Sequence, residues 1–536
     1  MTTEIVERFV RSLPCGEGYE DRLARELRLI ERHKLSQLFL QVREILDLIP
    51  DIPHNIRGSA GSSLVCYLLG ITHIDPLKWG LGLARFIHDL RPDMPDIDID
   101  IPWNRRKEVW LRIFRRYGTK AVRVSNKVMW KGKSARREAE RVLGHGASSV
   151  EIEEHVKGLL GKQRHWSLHC GGIVLSDEGF DPSEIIGPHQ IAWDKNDVKS
   201  KGYYKVDILS SRALGQLAQI SDLPLADYPE QDASTAALWA RGDNLGITGG
   251  ESPAFLKAAL GLAASEKRDV ILASALIRPA AASGTRSVPF FDTWVRKREQ
   301  SALVYDDDCI QAIVDKLQVT PARADMIRRD IVKGRIPVPE AISDVAQFTA
   351  YSFCKSHAIA YGSVVWALSY HKSRNPKLFW AAALDNCQSM YRKWVHVREA
   401  VRSGINRNRQ CYIFPPTPVQ SYARYGCWWD AEDLPGLSEI RQGKIVRFRA
   451  VIGAYRVYNP KLGGNKPVTF VTVWTGIAHR QVVISGADYQ LKNAAIIEGI
   501  GVEECVQRNT FLRVKGYKLL STYAYTQNEQ KNAYDI

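Results

Sequence analysis

The stretch that most constrains this chain is Met94-Pro95-Asp96-Ile97-Asp98-Ile99-Asp100-Ile101, where apolar and acidic residues alternate with a period of two. In a β-strand that period places Ile97, Ile99 and Ile101 on one face and Asp96, Asp98 and Asp100 on the other. The β-branched isoleucines suit a pleated core face, whereas Asp is a poor strand former and like charges on one face repel. A divalent cation with oxygen ligands would compensate the carboxylates. A solvated edge strand, whose charges discourage aggregation, accounts for the octapeptide equally well.

The choice between the two depends on the rest of the chain. At 536 residues it is too long for one ordinary domain, and three or four are expected. Lys plus Arg number 74 and Asp plus Glu 59, a net charge of +15, which favours a polyanionic partner, nucleic acid before membrane. No apolar run is long enough to span a bilayer, and Met1-Thr2-Thr3-Glu4 does not begin a signal peptide. The nine cysteines include no Cys-x-x-Cys, so a zinc ribbon is not expected and reduced thiols in a cytoplasm are.

Glu20 to Leu48 has apolar residues at helical spacing and reads as one helix. Ile56-Arg57-Gly58-Ser59-Ala60-Gly61-Ser62-Ser63 then leads into the apolar Leu64 to Leu69. Small residues running into a helix start are what a phosphate cradle needs, because backbone N–H groups there point at an anion. The Gly-Lys-Ser/Thr of a Walker loop is missing, and by itself this is an ordinary tight turn into a helix. Lys107 to Tyr117 reads as an amphipathic helix. Gly118 to Arg164 reads as basic and helical, and Lys127, Lys131, Lys133, Arg136, Arg137 and Arg141 form either a solvated face or a grip on a duplex backbone. Leu168 to Leu175 is a strand entered through Gly171-Gly172, with His169 and Cys170 read as core. Gly202 to Leu209 is a strand carrying Lys205 and Asp207, which could be simply a buried ion pair. Leu223 to Pro416 is mostly helical, and Phe414 to Pro418 reads as a linker. From Gly443 to Leu520 alternation returns in Lys444–Phe448, Val468–Val473, Gln481–Ile484 and Phe511–Gly516, and a five-stranded oligonucleotide-binding (OB) barrel fits that length.

An ordered set of motifs in this sequence resembles the alpha subunit of bacterial DNA polymerase III, the C-family of replicative polymerases. The set comprises Arg57-Gly58-Ser59 through Ser63, Thr72 to Leu77, Arg85-Phe86, Met94 to Asp100, His169 to Gly172 and Lys205 to Asp207. Arg278-Pro279, Arg328-Arg329 and Lys355 to Tyr361 complete it. Order and spacing agree from about Glu20 to Leu520.

The resemblance implies an α+β multidomain fold. Its parts would be a polymerase-beta-like nucleotidyltransferase palm over 20–118 and 166–222, a short basic thumb over 119–165, and helical fingers over 223–420. An OB-fold domain over 443–520 and a polar tail over 521–536 would follow. Asp98, Asp100 and Asp207 would be the catalytic residues and hold two Mg²⁺ ions, with Asp96 structural. Two carboxylates one pleat apart plus a third from a neighbouring strand can bracket two cations about 4 Å apart. Arg57, Gly58, Ser59, Ser63 and Lys205, with Arg328, Arg329, Lys355 and His357, would bind the nucleotide, Arg suiting phosphate through its bidentate fork. Expected partners are primer-template DNA, deoxynucleoside triphosphates and single-stranded template at the OB domain, where Phe448, Tyr455, Tyr458, Phe470 and Trp474 could stack bases.

The departures from that family are specific. Its N-terminal PHP phosphoesterase domain is missing, so no proofreading exonuclease is expected. The 118–164 insert is shorter than the family's thumb. The helix-hairpin-helix and clamp-binding segment before the OB fold has no counterpart, which puts a sliding-clamp contact in question. Ala60, Gly61 and Ser62 replace Gly, Ala and Gly, Cys354 stands for an Asn, and Gln and Arg are lost near Gly249-Gly250-Glu251-Ser252-Pro253. The reading is thus a compact, cytoplasmic DNA-directed DNA polymerase. A catalytically silent DNA-binding relative and a template-independent nucleotidyltransferase are the alternatives.

Overall fold

In the computed structural model of the protein the alternating stretch forms strand β2 (Ile97–Pro102). The structure describes residues 14, 16–91, 95–144, 146–278, 303–349, 353–386, 391, 393–404, 428–432, 445–458, 468–474, 479–485, 495–506 and 509–522. Met94, Pro279, the linker at Phe414–Pro418 and the tail from 523 lie outside them. The chain divides into two compact units. The first holds residues up to Ala218 together with Pro224–Ala226 and Tyr305–Tyr361, and the second holds the remainder.

In the first unit β2 pairs in parallel with β7 (Lys205–Ser211) and antiparallel with β1 (Asn55–Arg57). Beyond β7 the sheet continues through β4 (Gln163–Leu175), β3 (Ala121–Met129), β6 (Gln190–Ile191) and β5 (Ile185–Gly187), seven strands in the order β1-β2-β7-β4-β3-β6-β5. Ile97, Ile99 and Ile101 are fully buried in one core with Ile30, Phe39, Val42 and Ile113, as their period requires. The aspartates therefore occupy the other face.

Two readings from sequence need correction here. Glu20–Leu48 is two helices, Tyr19–Arg32 and Ser36–Asp47, because Lys34 takes a left-handed backbone (φ 55°) that no helix can pass through. Gly118–Arg164 is not helical throughout, since Ala121–Met129 joins the sheet as β3, packing Val122 and Val124 against Trp193. Only Gly132–Leu143 and Ser149–Leu159 are helices, held together by Ala135, Ala139 and Val156. Much of the basic run is committed internally: Lys127 to Asp197, Arg136 to Glu153 and Arg141 to Glu138.

Three further helical segments of the unit bear on the site. Asp306–Leu317 and Pro321–Val332 are joined by a short turn, the second starting with Thr320 as cap and Pro321 in the first turn. Helix Lys355–Arg374 begins here, and its residues to Tyr361 belong to this unit.

The second unit contains helices Ala233–Ala240, Pro253–Gly261, Lys267–Leu276, Pro376–Asn386 and Lys393–Arg402, so the described residues between 223 and 420 are largely helical as read. It also contains β8 (Trp428–Glu432), β9 (Ile445–Tyr458), β10 (Val468–Trp474), β11 (His479–Ser485), β12 (Ala495–Val506) and β13 (Asn509–Thr522). The strands run β9-β10-β11-β13-β12 and return to β9, a closed ring in which only β11 and β13 are parallel, with β8 added on β9. Phe448, Ile452, Val471, Val473 and Val482 fill its interior. Strand β12 escaped the sequence reading because Gly499 and Gly501 interrupt its alternation. No helix among the described residues is long and apolar enough to cross a membrane.

Candidate active site

The exposed ends of β1 and β2 open onto a cavity of about 340 Å³ lined by Arg57, Gly58, Ser59, Asp96 and Asp98. Arg85, Arg91, Arg328, Arg329 and Lys333 complete its charged lining, so six cations and two carboxylates share one small space.

Its acidic part is built by strand register. Asp98 on β2 lies directly opposite Asp207 on β7. Burial first, then the neighbouring Asp207 charge, push the Asp98 carboxyl up to about 7 against the pull of Lys205. Asp207 is buried and accepts a hydrogen bond from the Lys205 ammonium on one oxygen. Its Oδ1 is buried with no hydrogen-bond partner among the described residues. His169 Nδ1 lies 3.5 Å from that oxygen, but it accepts from the Gly171 and Gly172 N–H groups. His169 thus organises an irregularity within β4, where the register against β3 shifts, and Cys170 is exposed, where core packing was expected.

Asp100 behaves differently from its neighbours on β2. It is 2% exposed, is not part of the cavity lining, and accepts from Arg57 on both oxygens, Nε at 3.0 Å and Nη2 at 2.5 Å. The Tyr361 side chain adds a further hydrogen bond, and the Arg57 guanidinium lies 5.6 Å over the Tyr361 ring. Of the aspartates expected to be a metal ligand and a structural residue, Asp100 is thus bonded to Arg57, whereas Asp96 lines the cavity. The period of two puts all three aspartates on one face, yet only the N-terminal end of the strand faces the cavity.

The basic part comes mostly from helix Pro321–Val332 and the turn at Leu83–Arg85. Asp325 is fully buried and binds Arg328 at 2.8 Å, Arg329 at 2.5 Å and His88 at 3.2 Å. Burial alone would raise its carboxyl, but the His88 bond and the two arginines hold it well below the usual carboxylate range. Asp306 ties Arg85 at 2.9 Å to Arg328 at 3.5 Å. The arginines are thus fixed in place before any ligand arrives. Lys333 follows Arg329 by one helical turn, which is the spacing that would have revealed it, and Arg91 precedes the acidic strand.

The Gly58–Ser62 loop is held from two directions. Gly58 N–H donates to His357 Nδ1 at 3.0 Å, and Ser356 Oγ donates to Gly58 O at 2.8 Å. A Cβ on Gly61 would sit 3.0 Å from Ser356 Cβ and 3.1 Å from Ile74 Cδ1, so glycine permits that approach. Below the loop, the fully buried Glu26 carboxylate accepts from Ser63 Oγ, Leu64 N–H at 2.9 Å and Val65 N–H at 3.3 Å. The helix start read as a phosphate cradle already holds a carboxyl group of its own, that of Glu26. Ser63, expected at the nucleotide, is fully buried, bonded to Glu26 and outside the cavity lining. Lys355 and His357 are likewise outside the lining: the Lys355 N–H donates to Asp307, and the His357 ring stacks on Tyr361 at 4.7 Å.

Residues 1–157 match the family model described as the bacterial DNA polymerase III alpha NTPase domain. The similarity to bacterial DNA polymerase III alpha subunits is borne out. An error-prone DNA polymerase of Anaeromyxobacter sp. (strain K) is 28% identical over 511 residues, covering 75% of this chain and 45% of its own. That of Cutibacterium acnes is 28% identical over 473 residues, covering 73% of this chain and 42% of its own. Error-prone DNA polymerase 2 of Rhizobium meliloti is 27% identical over 545 residues, with coverages of 84% and 49%. The chain therefore spans less than half the length of each of these relatives.

Among the described residues no group of three His, Cys, Asp or Glu side chains is already arranged around a metal position. The donor set that polymerase chemistry uses is nonetheless consistent with the Asp98–Asp207 pair: oxygen-only, adjacent, and with one buried carboxylate oxygen lacking a hydrogen bond. Mg²⁺ is commonly held by one or two carboxylates completed by water and substrate phosphates, so a third protein ligand need not be in place beforehand.

Proposed function

We propose that this chain is a DNA-templated DNA polymerase that extends a primer 3′-hydroxyl with deoxynucleoside triphosphates. The observation that carries the reading is the meeting of Asp96 and Asp98 with Arg57, Arg85, Arg91, Arg328, Arg329 and Lys333 in one cavity beside Asp207. A nucleoside triphosphate with its divalent cations has that charge pattern: cations between carboxylates and phosphate oxygens, guanidinium groups on the remaining oxygens.

In this reading Asp98 and Asp207, joined by Asp96, would hold two Mg²⁺ ions. When bound, such ions activate the primer hydroxyl and neutralise the leaving pyrophosphate. Lys205 orients Asp207. Arg57, Ser59, Arg328 and Arg329 bind the triphosphate, with Arg85, Arg91 and Lys333 as additions to the sequence-based set. His357 fixes the Gly58 loop at its N–H, and Lys355 anchors the start of its helix through Asp307.

The seven-stranded sheet is then the palm, helices Gly132–Leu143 and Ser149–Leu159 the thumb, and Asp306–Leu317, Pro321–Val332 and the helices that follow the fingers. The five-strand ring with one parallel pair supports an OB barrel for the C-terminal strands. Phe470 is exposed on it and suits base stacking, whereas Phe448 is buried in its core and Tyr455 packs against that core. Primer-template DNA is the macromolecular partner and the cytoplasm the setting. The shared name of the relatives supports the reaction class.

Primer extension with and without a template strand tests the proposal. Template-directed incorporation is expected. Addition to single-stranded ends without a template would instead favour terminal transfer, and DNA binding without incorporation would favour a silent relative.

A further inference from the structure

We infer that Asp100 is a positioning residue that aims Arg57 at the polyphosphate and takes no part in holding metal. The inference rests on the reading of the cavity as a triphosphate site. It begins with how completely Asp100 is used: both its oxygens accept from one guanidinium, Tyr361 adds a further hydrogen bond, and the residue is 2% exposed. A cation bound there would sit against the positive charge of Arg57, which the geometry disfavours.

The pair is also asymmetric. Asp100 is buried, while the Arg57 side chain keeps 29% exposure and lines the cavity. A guanidinium has five N–H donors in a rigid fork. Asp100 takes the Nε and one Nη2 donor, so Nη1 and the second Nη2 hydrogen are the groups available toward the cavity. An arginine held along one edge loses little side-chain entropy when the opposite edge meets a phosphate. The Tyr361 ring beneath the guanidinium adds a second constraint on its plane.

This support reaches across the fold. Tyr361 also stacks on His357, whose Nδ1 holds the Gly58 N–H immediately after Arg57. Asn55, two residues before Arg57, donates to Ala360 O at 2.9 Å. The start of helix Lys355–Arg374 therefore sets both the backbone and the side chain of Arg57.

The experiment measures sodium tripolyphosphate and dATP binding calorimetrically, Mn²⁺ binding by electron paramagnetic resonance, and KM and kcat for primer extension. The variants are Arg57→Ala, Asp100→Asn, the double variant and Asp98→Asn. Arg57→Ala and Asp100→Asn should each weaken tripolyphosphate binding and raise the dATP KM by about tenfold or more, with kcat changed much less. The double variant should be no worse than Arg57→Ala alone. Mn²⁺ affinity should be lost in Asp98→Asn and kept in Asp100→Asn. Tyr361→Phe, which removes one hydroxyl and keeps the ring, provides a milder test: a rise of a few-fold that vanishes in the Arg57→Ala background. Loss of Mn²⁺ binding in Asp100→Asn, or multiplicative effects in the double variant, overturns the inference. Coupled effects on tripolyphosphate binding in a protein that extends no primer would uphold it and overturn the polymerase reading instead.

Discussion

Asp98 and Asp207 face each other across neighbouring parallel strands, one residue pair in register, with the Lys205 ammonium bonded to the second of them. Two carboxylates so placed in a partly buried setting repel each other, which is why the Asp98 carboxyl is pushed up to about 7 by burial and by Asp207.

We expect Asp98→Asn and Asp207→Asn to lower single-nucleotide incorporation by roughly a thousandfold while leaving duplex affinity within about threefold. Rapid-quench incorporation and fluorescence anisotropy measure the two quantities. Asp96→Asn should also be severely impaired, since Asp96 lines the cavity. Near-normal incorporation by Asp96→Asn would return that residue to a structural role.

Glu26 supports the loop from beneath. Its carboxylate satisfies the Ser63 hydroxyl and the Leu64 and Val65 N–H groups, and Arg22 lies 3.6 Å away. Glu26→Ala would leave these buried donors unsatisfied, and we expect a loss of about 3 kcal/mol or more in urea denaturation. Glu26→Gln, which keeps an acceptor, should cost clearly less, and equal losses would show that the volume and not the hydrogen bonds matters.

Asp307 gives a pH signature. The residue is half-buried and its Oδ1 is enclosed with no hydrogen-bond partner among the described residues, while Oδ2 accepts from the Lys355 N–H at 2.7 Å. Burial pushes its carboxyl up to about 6 from the usual 3.8, and the Lys355 bond only partly opposes this. The folded state therefore holds the proton more tightly than the unfolded state. The contribution is most favourable below about pH 4 and is lost progressively as pH rises to about 6. Asp307→Asn, which removes the charge and keeps an acceptor, should stabilise the protein at pH 8 relative to pH 5 by roughly 1.5 kcal/mol. Denaturation midpoints of both proteins at the two pH values check it, and a constant difference would contradict the assignment.

On the C-terminal barrel, Phe470→Ala should weaken oligothymidylate binding by about fivefold or more at low salt, with the melting temperature little changed. Phe448 is fully buried there, and Phe448→Ala should cost about 3–5 kcal/mol of barrel stability. Affinity of the intact chain for DNA should fall steeply with added salt, as phosphate contacts require. An unchanged affinity in Phe470→Ala would remove the barrel face from the DNA path.

The local features were legible in the sequence: the period of two at Ile97–Ile101, the helix over Arg106–Tyr117 and the strand carrying Lys205 and Asp207. What escaped is set by partners far away in the chain. Asp100 and Asp98 have the same local pattern, and only Arg57, 43 residues earlier, distinguishes them. Ser63 looked like a phosphate contact because Glu26, 37 residues earlier, is not part of any local motif. Strand β3 does not show in the sequence because its buried side, Ala121, Val122 and Val124, breaks the period of two within a basic run. The resemblance supplied the candidate residues, but not which of the three aspartates turns inward.

The contacts between Gly58 and His357 span 299 residues of chain, and those between Asn55 and Ala360 span 305. Between the two ends lies much of a separate compact unit. Chains are made from the N-terminus, and closure over such distances is slow. The sheet that carries the aspartates can therefore assemble while the arginines at 328 and 329 are still unsynthesised. During that interval an acidic, half-built cleft has neither its guanidinium groups nor its loop partner. On the proposed reading, the nascent chain gains its grip on a nucleotide only after Tyr361 emerges, well into synthesis.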